Sequence, residues 1–286
     1  MNLVRIKAFP GRNIYAHFPV IKVELDLEGY VDIPTCDIEG FNEKLLILLP
    51  GLYKHECGGK ENGFIGRLER GTYLAHVMEH IALEIQNLLG YDIGFGKTRY
   101  LEGDTIYGIV YGYIDEVAGF RSAKLAFDII QSLICGDSID LEEELRKIKI
   151  EINKEALGLS TAAIVTEARK RGIPVIRIAG NSLIQLGYGK YARRIQATIT
   201  DNTNCIAVDA AGDKELTNRI LRMHGIPVPI GSGATGYDEV KDIVMDIGYP
   251  VVVKPYNGNQ GRGVSLNLKT LREVKKAFMI AKTFSN

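Results

Sequence analysis

The pattern of apolar and polar positions is strongest from Gly71 to Gly90, GTYLAHVMEHIALEIQNLLG. At 100° per residue, Leu74, Val77, Met78, Ile81, Ile85, Leu88 and Leu89 share one broad apolar face, and His76, Glu79 and His80 lie on the other. Thr72 is placed to cap this helix, Gly90 to end it in the left-handed conformation, and no proline interrupts it. Upstream, Phe18 to Leu27 alternates: Val23, Leu25 and Leu27 point one way and Lys22, Glu24 and Asp26 the other, the pattern of a half-buried strand. Phe41 to Leu49 reads as a short helix stopped by Pro50. LPGLYKHECGGKENGFIGRLERG and GYDIGFGKTRYLEG, on either side of the main helix, read as glycine-rich loops.

Thr105 to Ile114 predicts a strand with Tyr107, Tyr111 and Tyr113 on one face and Ile106, Val110 and Ile114 on the other. Helices follow at Glu116–Cys135 and Leu141–Lys154, the second with a highly charged outer side. Strands and helices here do not alternate as βαβ units, which predicts an α+β domain over residues 1–158. From Ser160 the texture changes to a helix (STAAIVTEARKRG), a strand (IPVIRIA), a hairpin (LIQLGYGKYARRIQATIT) and a further helix (DKELTNRILRMHG). Near the end, YPVVVKPYNGNQGRGVSLNL predicts two strands joined by a glycine-rich link. Residues 159–286 therefore form a second, α/β region.

Composition narrows the classes. At 286 residues the chain holds about two domains, and 46% apolar with 24% charged residues is ordinary for a globular protein. Lys plus Arg (35) equals Asp plus Glu (35), so no global field attracts nucleic acid or an anionic membrane. The start, MNLVRIKAFPGRNIY, lacks the apolar run of a signal peptide, and no stretch is long and apolar enough for a membrane span. Cys36, Cys57, Cys135 and Cys205 are widely spaced, as reduced thiols are. The expectation is a cytoplasmic protein.

Candidate chemistry sits at two places. HVMEH has the His-x-x-Glu-His spacing of the inverted zinc peptidases, in which two histidines a turn apart hold the metal and the glutamate acts on water. This makes His76 and His80 candidate ligands and Glu79 a candidate general base; the competing reading is a solvated helix face. Glu116, opening the next helix, is the candidate third ligand, with Asp115 and Glu84 as substitutes. His55, Glu56 and Cys57 in the preceding loop read either as ligands of a second metal or as a loop histidine and a buried free thiol. At the far end, the link holding Gly258, Gly261, Arg262 and Gly263 leaves backbone N–H groups free to lie along a polyphosphate, with Lys254 beside it; plain hairpin turns have the same letters. Lys190, Arg193 and Arg194 form one compact basic run, an anion site or a solvated edge.

Taken together, HVMEHIALEIQ, GFGKTR, IQLGYGKYARRIQATITDNTN, DKELTNRILRMHGIPVP and VVVKPYNGNQGRGV resemble the amino-terminal part of the cyanophycin synthetase family, in order and along essentially the whole chain. The resemblance implies a ligase that uses ATP and Mg²⁺ to add aspartate and arginine to a poly-aspartate backbone. It implies a polymer-binding domain over 1–158, carrying in part of the family a metallopeptidase-like site that cuts polymer into primers, with the identity of the metal open and Zn²⁺ one candidate. His76, Glu79, His80 and Glu116 match that site's pattern. It further implies that 159–286 open an ATP-grasp domain, with Lys254, Gly258, Gly261, Arg262 and Gly263 facing the nucleotide; Gln260 departs from the histidine common there. The Mg²⁺ ligands and the Mur-like domain are absent from these residues, so the chain is expected to be a fragment that does not ligate by itself. Lys97, Arg99, Lys190, Arg193 and Arg194 are expected to hold polymer carboxylates, and Glu56, Glu61 or Glu69 the polymer's arginines. The partners expected are the aspartate–arginine polymer and further copies of the chain, with neither nucleic acid nor membrane. A non-catalytic polymer-binding module and a ligase acting on glutathione-like peptides are the alternatives.

Overall fold

The computed structural model describes residues 1–59, 63–103, 105–178, 182–258 and 260–285. Glu61, named above as a partner for arginines, lies outside them. The fold is mixed α/β with small sheets, and it separates into two compact units, Met1–Thr198 and Ile199–Asn286. The change of sequence texture at 158/159 thus falls inside the first unit.

The first unit is built on β1 (Asn2–Phe9), β2 (Val20–Asp26), α1 (Phe41–Leu48), α2 (Gly63–Arg70), α3 (Leu74–Leu88), β3 (Gly96–Glu102), β4 (Ile106–Gly112), α4 (Glu116–Cys135) and α5 (Leu141–Lys154). The strands form an antiparallel sheet in the order β1-β2-β4-β3. Because side chains alternate across a strand, the register puts Ile6, Val23, Ile109 and Thr98 in one row on the inner face, and Ala8, Ile21, Tyr111 and Gly96 in the next. Val23, Ile21, Ile109 and Tyr111 are fully buried against the helices. The intervening rows point outward: Lys7, Lys22, Val110 and Lys97, then Arg5, Glu24, Gly108 and Arg99.

The central helix α3 is buried almost all round, including Glu79, His80, Glu84 and Gln86. The competing reading of a solvated polar face therefore does not hold for this helix. The cause is packing on several sides: α3 lies against β3 and β4, against α4, and against the turn at Pro50–Lys54. Gly90 ends the helix with φ of 97°, as expected, but the cap residue is Tyr73 rather than Thr72. Leu88, placed on the apolar stripe by its spacing, is exposed in the last turn.

Two stretches read as loops are regular elements. α2 buries only Phe64 and Leu68, one turn apart, so its flanking glycines hide the helical signal. β3 turns Gly96 and Thr98 inward and Lys97 and Arg99 outward, so it alternates without apolar residues to show it. The edge strand β1, where Ile6 and Ala8 alternate with Arg5 and Lys7, was not among the expected strands. The helices at 116–135 and 141–154 match the expectation residue for residue, capped by the Asp115 and Asp140 side chains. Still within the first unit, α6 (Leu159–Lys170) precedes the antiparallel strands β5 (Val175–Arg177), β6 (Leu183–Leu186) and β7 (Arg193–Gln196), around a small core of Val165, Ile184 and Ile195.

The second unit comprises β8 (Ile199–Thr200), α7 (Cys205–Gly212), α8 (Lys214–Met223), α9 (Tyr237–Ile247), β9 (Val251–Val253), β10 (Ser265–Leu268) and α10 (Leu271–Lys282). Strands β9 and β10 pair antiparallel, as the sequence predicts, over a core of Val240, Val244, Val251 and Val274. Thr270 and Glu273 close a reciprocal capping box at the start of α10. No helix among the described residues is long and apolar enough to cross a membrane.

Candidate metal centre

The first half of α3 and the stretch around Cys57 converge on one partly buried group of donors. Cys57 Sγ, one nitrogen of His76 and one of His80 all lie within 4.8 Å of one another, the one such group of three or more among the described residues. Cys57 Sγ is 3.4 Å from His76 Nε2, and His76 Nδ1 is 2.9 Å from the Thr72 hydroxyl. His80 Nδ1 is 3.0 Å from His55 Nδ1, and His55 Nε2 is 2.9 Å from Glu84 Oε2. Each of the two α3 histidines is thus held at its outer nitrogen, leaving the other nitrogen for the centre of the group. That is how metal-binding imidazoles are fixed in orientation and tautomer. Phe64, from α2, stacks on His80 with ring centroids 3.9 Å apart and planes at 24°.

Electrostatics keep both imidazoles neutral. Burial lowers the pKa of His76 to about 4, helped by the nearby Arg67 guanidinium. Burial first, then the neighbouring His76, His55 and Arg67, lowers His80 to about 2. Neutral imidazole is the metal-binding form, so no proton has to be displaced from the histidines at neutral pH. Two imidazoles and a thiol that ionises on binding suit Zn²⁺ in chemistry and number, with one tetrahedral position left open. The residues present therefore fit a catalytic-type zinc site.

Glu79 lies beside this group on the β3 side. Its Oε2 accepts a hydrogen bond from the Thr98 hydroxyl at 2.6 Å, and the residue is only 5% exposed. Burial raises its pKa to about 7, against the smaller opposing effects of the Thr98 hydrogen bond and Arg67. The approach depends on Gly96: a Cβ there would overlap the Glu79 carboxylate.

The expected third ligand is not where the centre needs it. Glu116 is exposed at the first turn of α4, with its Oε2 accepting from the Tyr113 hydroxyl at 3.3 Å. That turn follows Gly112, whose carbonyl accepts from Gln86 near the far end of α3. Gln86 is ten residues, about 15 Å of helix, beyond His76. Cys57 supplies the third donor instead, and Glu84, one of the substitutes, bonds His55. The donors assigned to a possible second metal thus belong partly to this centre: Cys57 is in it and His55 behind it.

The other expected residues scatter. Lys97 and Arg99 lie on the outer face of β3, while Thr98 between them faces Glu79, so neither cation lines the metal centre. Arg67 is the cation whose charge acts on His76, Glu79 and His80, and sequence reasoning missed it because α2 read as a loop. The basic run near the Gly-Tyr-Gly turn does not form one cluster. Arg193 and Arg194 are consecutive in β7 and so point to opposite faces, and Lys190 sits over the Tyr191 ring at 4.9 Å. In the second unit, Lys254 follows β9 directly, and Gly258, Gly261, Arg262 and Gly263 occupy the link to β10; Gly261 and Gly263 have φ of 73° and 70°. Lys214, at the start of α8, donates to the carbonyls of Tyr256 (2.6 Å) and Gly258 (3.1 Å) and ties the link down.

Comparison with known proteins supports the resemblance read from the motifs. Residues 22–135 match the family described as cyanophycin synthase-like N-terminal domain. The chain is 41% identical over 288 residues to the cyanophycin synthetase of Synechocystis sp., covering 98% of this chain and 33% of that protein. It is 38% identical over 292 residues to the cyanophycin synthetase of Trichormus variabilis, covering 100% of this chain and 32% of that protein. A shorter match, 31% identical over 118 residues, is to the carbamoyl phosphate synthase large chain of Streptomyces coelicolor, covering 39% of this chain and 10% of that protein. The chain spans about a third of the length of the curated cyanophycin synthetases it matches.

Proposed function

We propose that this chain, similar along its whole length to cyanophycin synthetases, is a part of such an ATP-dependent ligase whose first domain binds the aspartate–arginine polymer and hydrolyses it at a zinc centre. The observation that carries the hydrolase is the trio of half-buried Cys57 and His76 with buried His80, both outer imidazole nitrogens occupied, and the buried carboxylate of Glu79 on the same helix. A zinc ion bound there supplies Lewis acidity toward a carbonyl oxygen and acidifies water. Glu79 is the general base: its carboxylate, steadied by the Thr98 hydroxyl, takes the proton from water and returns it to the departing amine. Phe64 and the core around α3 exclude bulk solvent, which strengthens each of these charge interactions.

Polymer binding is assigned to the outer face of the sheet. Arg5, Lys7, Lys22, Lys97 and Arg99 occupy two adjoining rows there, with Glu24 paired to Lys22 at 2.6 Å. Rows of cations at strand spacing suit a chain carrying repeated carboxylates. In the second unit, Lys254, Gly258, Gly261, Arg262 and Gly263 are assigned to the phosphates of ATP in an ATP-grasp domain, on the strength of the resemblance and of a glycine-rich link beside a lysine. Mg²⁺ is assigned to the longer enzyme.

The test is incubation of zinc-loaded protein with aspartate–arginine polymer, scoring new chain ends. Wild type is expected to cut, and Glu79→Gln to keep zinc but lose the cutting about 10²- to 10⁴-fold. Retained polymer binding with no new ends in wild type overturns the hydrolase and leaves a binding module.

A further inference from the structure

The metal centre leaves one hydrogen-bonded couple behind it to be explained, the buried Glu84 and the half-buried His55. Glu84 is 6% exposed and His80 3%, and the hydrogen bonds run in a line from Glu84 Oε2 to His55 Nε2 and from His55 Nδ1 to His80 Nδ1. A neutral imidazole has one N–H and one lone pair, and an ionised carboxylate only accepts. Glu84 therefore draws the His55 proton to Nε2. His55 Nδ1 is left as an acceptor, so the partner proton must sit on His80 Nδ1. The lone pair of His80 then falls on Nε2, the nitrogen that remains for a metal. We infer that Glu84 and His55 form a tautomer relay that fixes His80 as an Nε2 ligand, both acting as positioning residues behind the centre.

This rests on the reading of Cys57, His76 and His80 as a metal centre. The surroundings are shaped for the relay. Gly51 leaves the space that the Glu84 carboxylate fills, since a Cβ there would overlap it. Phe64 stacked on His80 holds the ring plane. The Thr72 hydroxyl is hydrogen-bonded to His76 Nδ1 and leaves Nε2 facing Cys57, so the two α3 histidines are both held at Nδ1, by different partners.

The experiment combines long-range proton–nitrogen NMR of the metal-free protein with zinc affinity by competition against a chelating dye. In wild type the His80 spectrum is expected to show a protonated Nδ1 and a bare Nε2. Glu84→Gln has an amide that can donate as well as accept, which lets the chain of protons reverse. A population of His80 with Nε2–H is expected in that variant, with zinc affinity down about 10- to 100-fold. The wild-type spectrum needs no variant to fold. Nε2–H on His80 in the wild-type protein overturns the relay, and so does a Glu84→Gln protein with unchanged tautomer and unchanged affinity. Nδ1–H on His80 in a protein that takes up no zinc supports the relay and overturns the metal-centre reading alone.

Discussion

The two units treat their polar residues differently. In the first, α3 is enclosed by its neighbours, and its carboxylates and imidazoles are held by named partners. In the second, α7 and α8 bury no residue, and Ile206 (73% exposed) and Met223 (77%) face outward. The Lys254–Gly263 link is likewise exposed at the residues that would meet phosphate, Lys254, Gly258, Gly261 and Arg262. Enclosure sharpens charge interactions and shifts protonation states, as Glu79 and His80 show; exposure leaves the second unit's charges solvated. Chemistry complete within one unit is therefore expected of the first, and phosphate contact without enclosure of the second.

The largest effect that would break this contrast is in the core. Leu74→Ala, at a fully buried position of α3, is expected to cost about 2–5 kcal/mol of unfolding free energy in urea. Met223→Ala on α8 is expected to stay within about 0.5 kcal/mol. Equal losses at the two sites would contradict the difference in packing. A smaller effect sharpens it: Gly96→Ala is expected to cost about 1–3 kcal/mol by overpacking, and to push Glu79 off Thr98. An unchanged Thr98 hydroxyl hydrogen bond in a crystal of that variant would refute the steric argument.

The smallest effect lies in pH. Asp213 caps α8, and its pKa is lowered chiefly by the backbone N–H of Leu216, then by Tyr256 and the Glu215 N–H. A lowered folded pKa means the cap stabilises the helix above the unfolded value of about 4 and is lost as pH falls through the folded value. Amide exchange at Glu215 and Leu216, corrected for its intrinsic pH dependence, is expected to lose protection only in acid. Protection lost already near neutral pH would assign the cap to another group.

The main helix and the strand at β4 were legible from their apolar period alone, and the helices at 116–135 and 141–154 because period and the Asp115 and Asp140 caps agreed. α2 and β3 were not, because two glycine-flanked apolar residues and a Gly-Lys-Thr-Arg alternation carry little hydrophobic signal. The site followed the same division. His76, His80 and Glu79 were readable from spacing within one helix, where geometry is fixed by 3.6 residues per turn. Cys57, His55, Arg67 and Thr98 reach the centre from other elements, and no local pattern states which loop folds back on which helix. Glu116 shows the converse error: opening the next helix puts it beside the wrong end of α3.

The central claim is most directly tested by zinc stoichiometry on the purified protein and three single variants, Cys57→Ser, His80→Ala and Glu116→Ala, under one chelator concentration. The account predicts one zinc per chain in wild type and in Glu116→Ala, and its loss in Cys57→Ser and His80→Ala. Zinc retained by Cys57→Ser and lost from Glu116→Ala would contradict it and return the third ligand to the neighbouring helix.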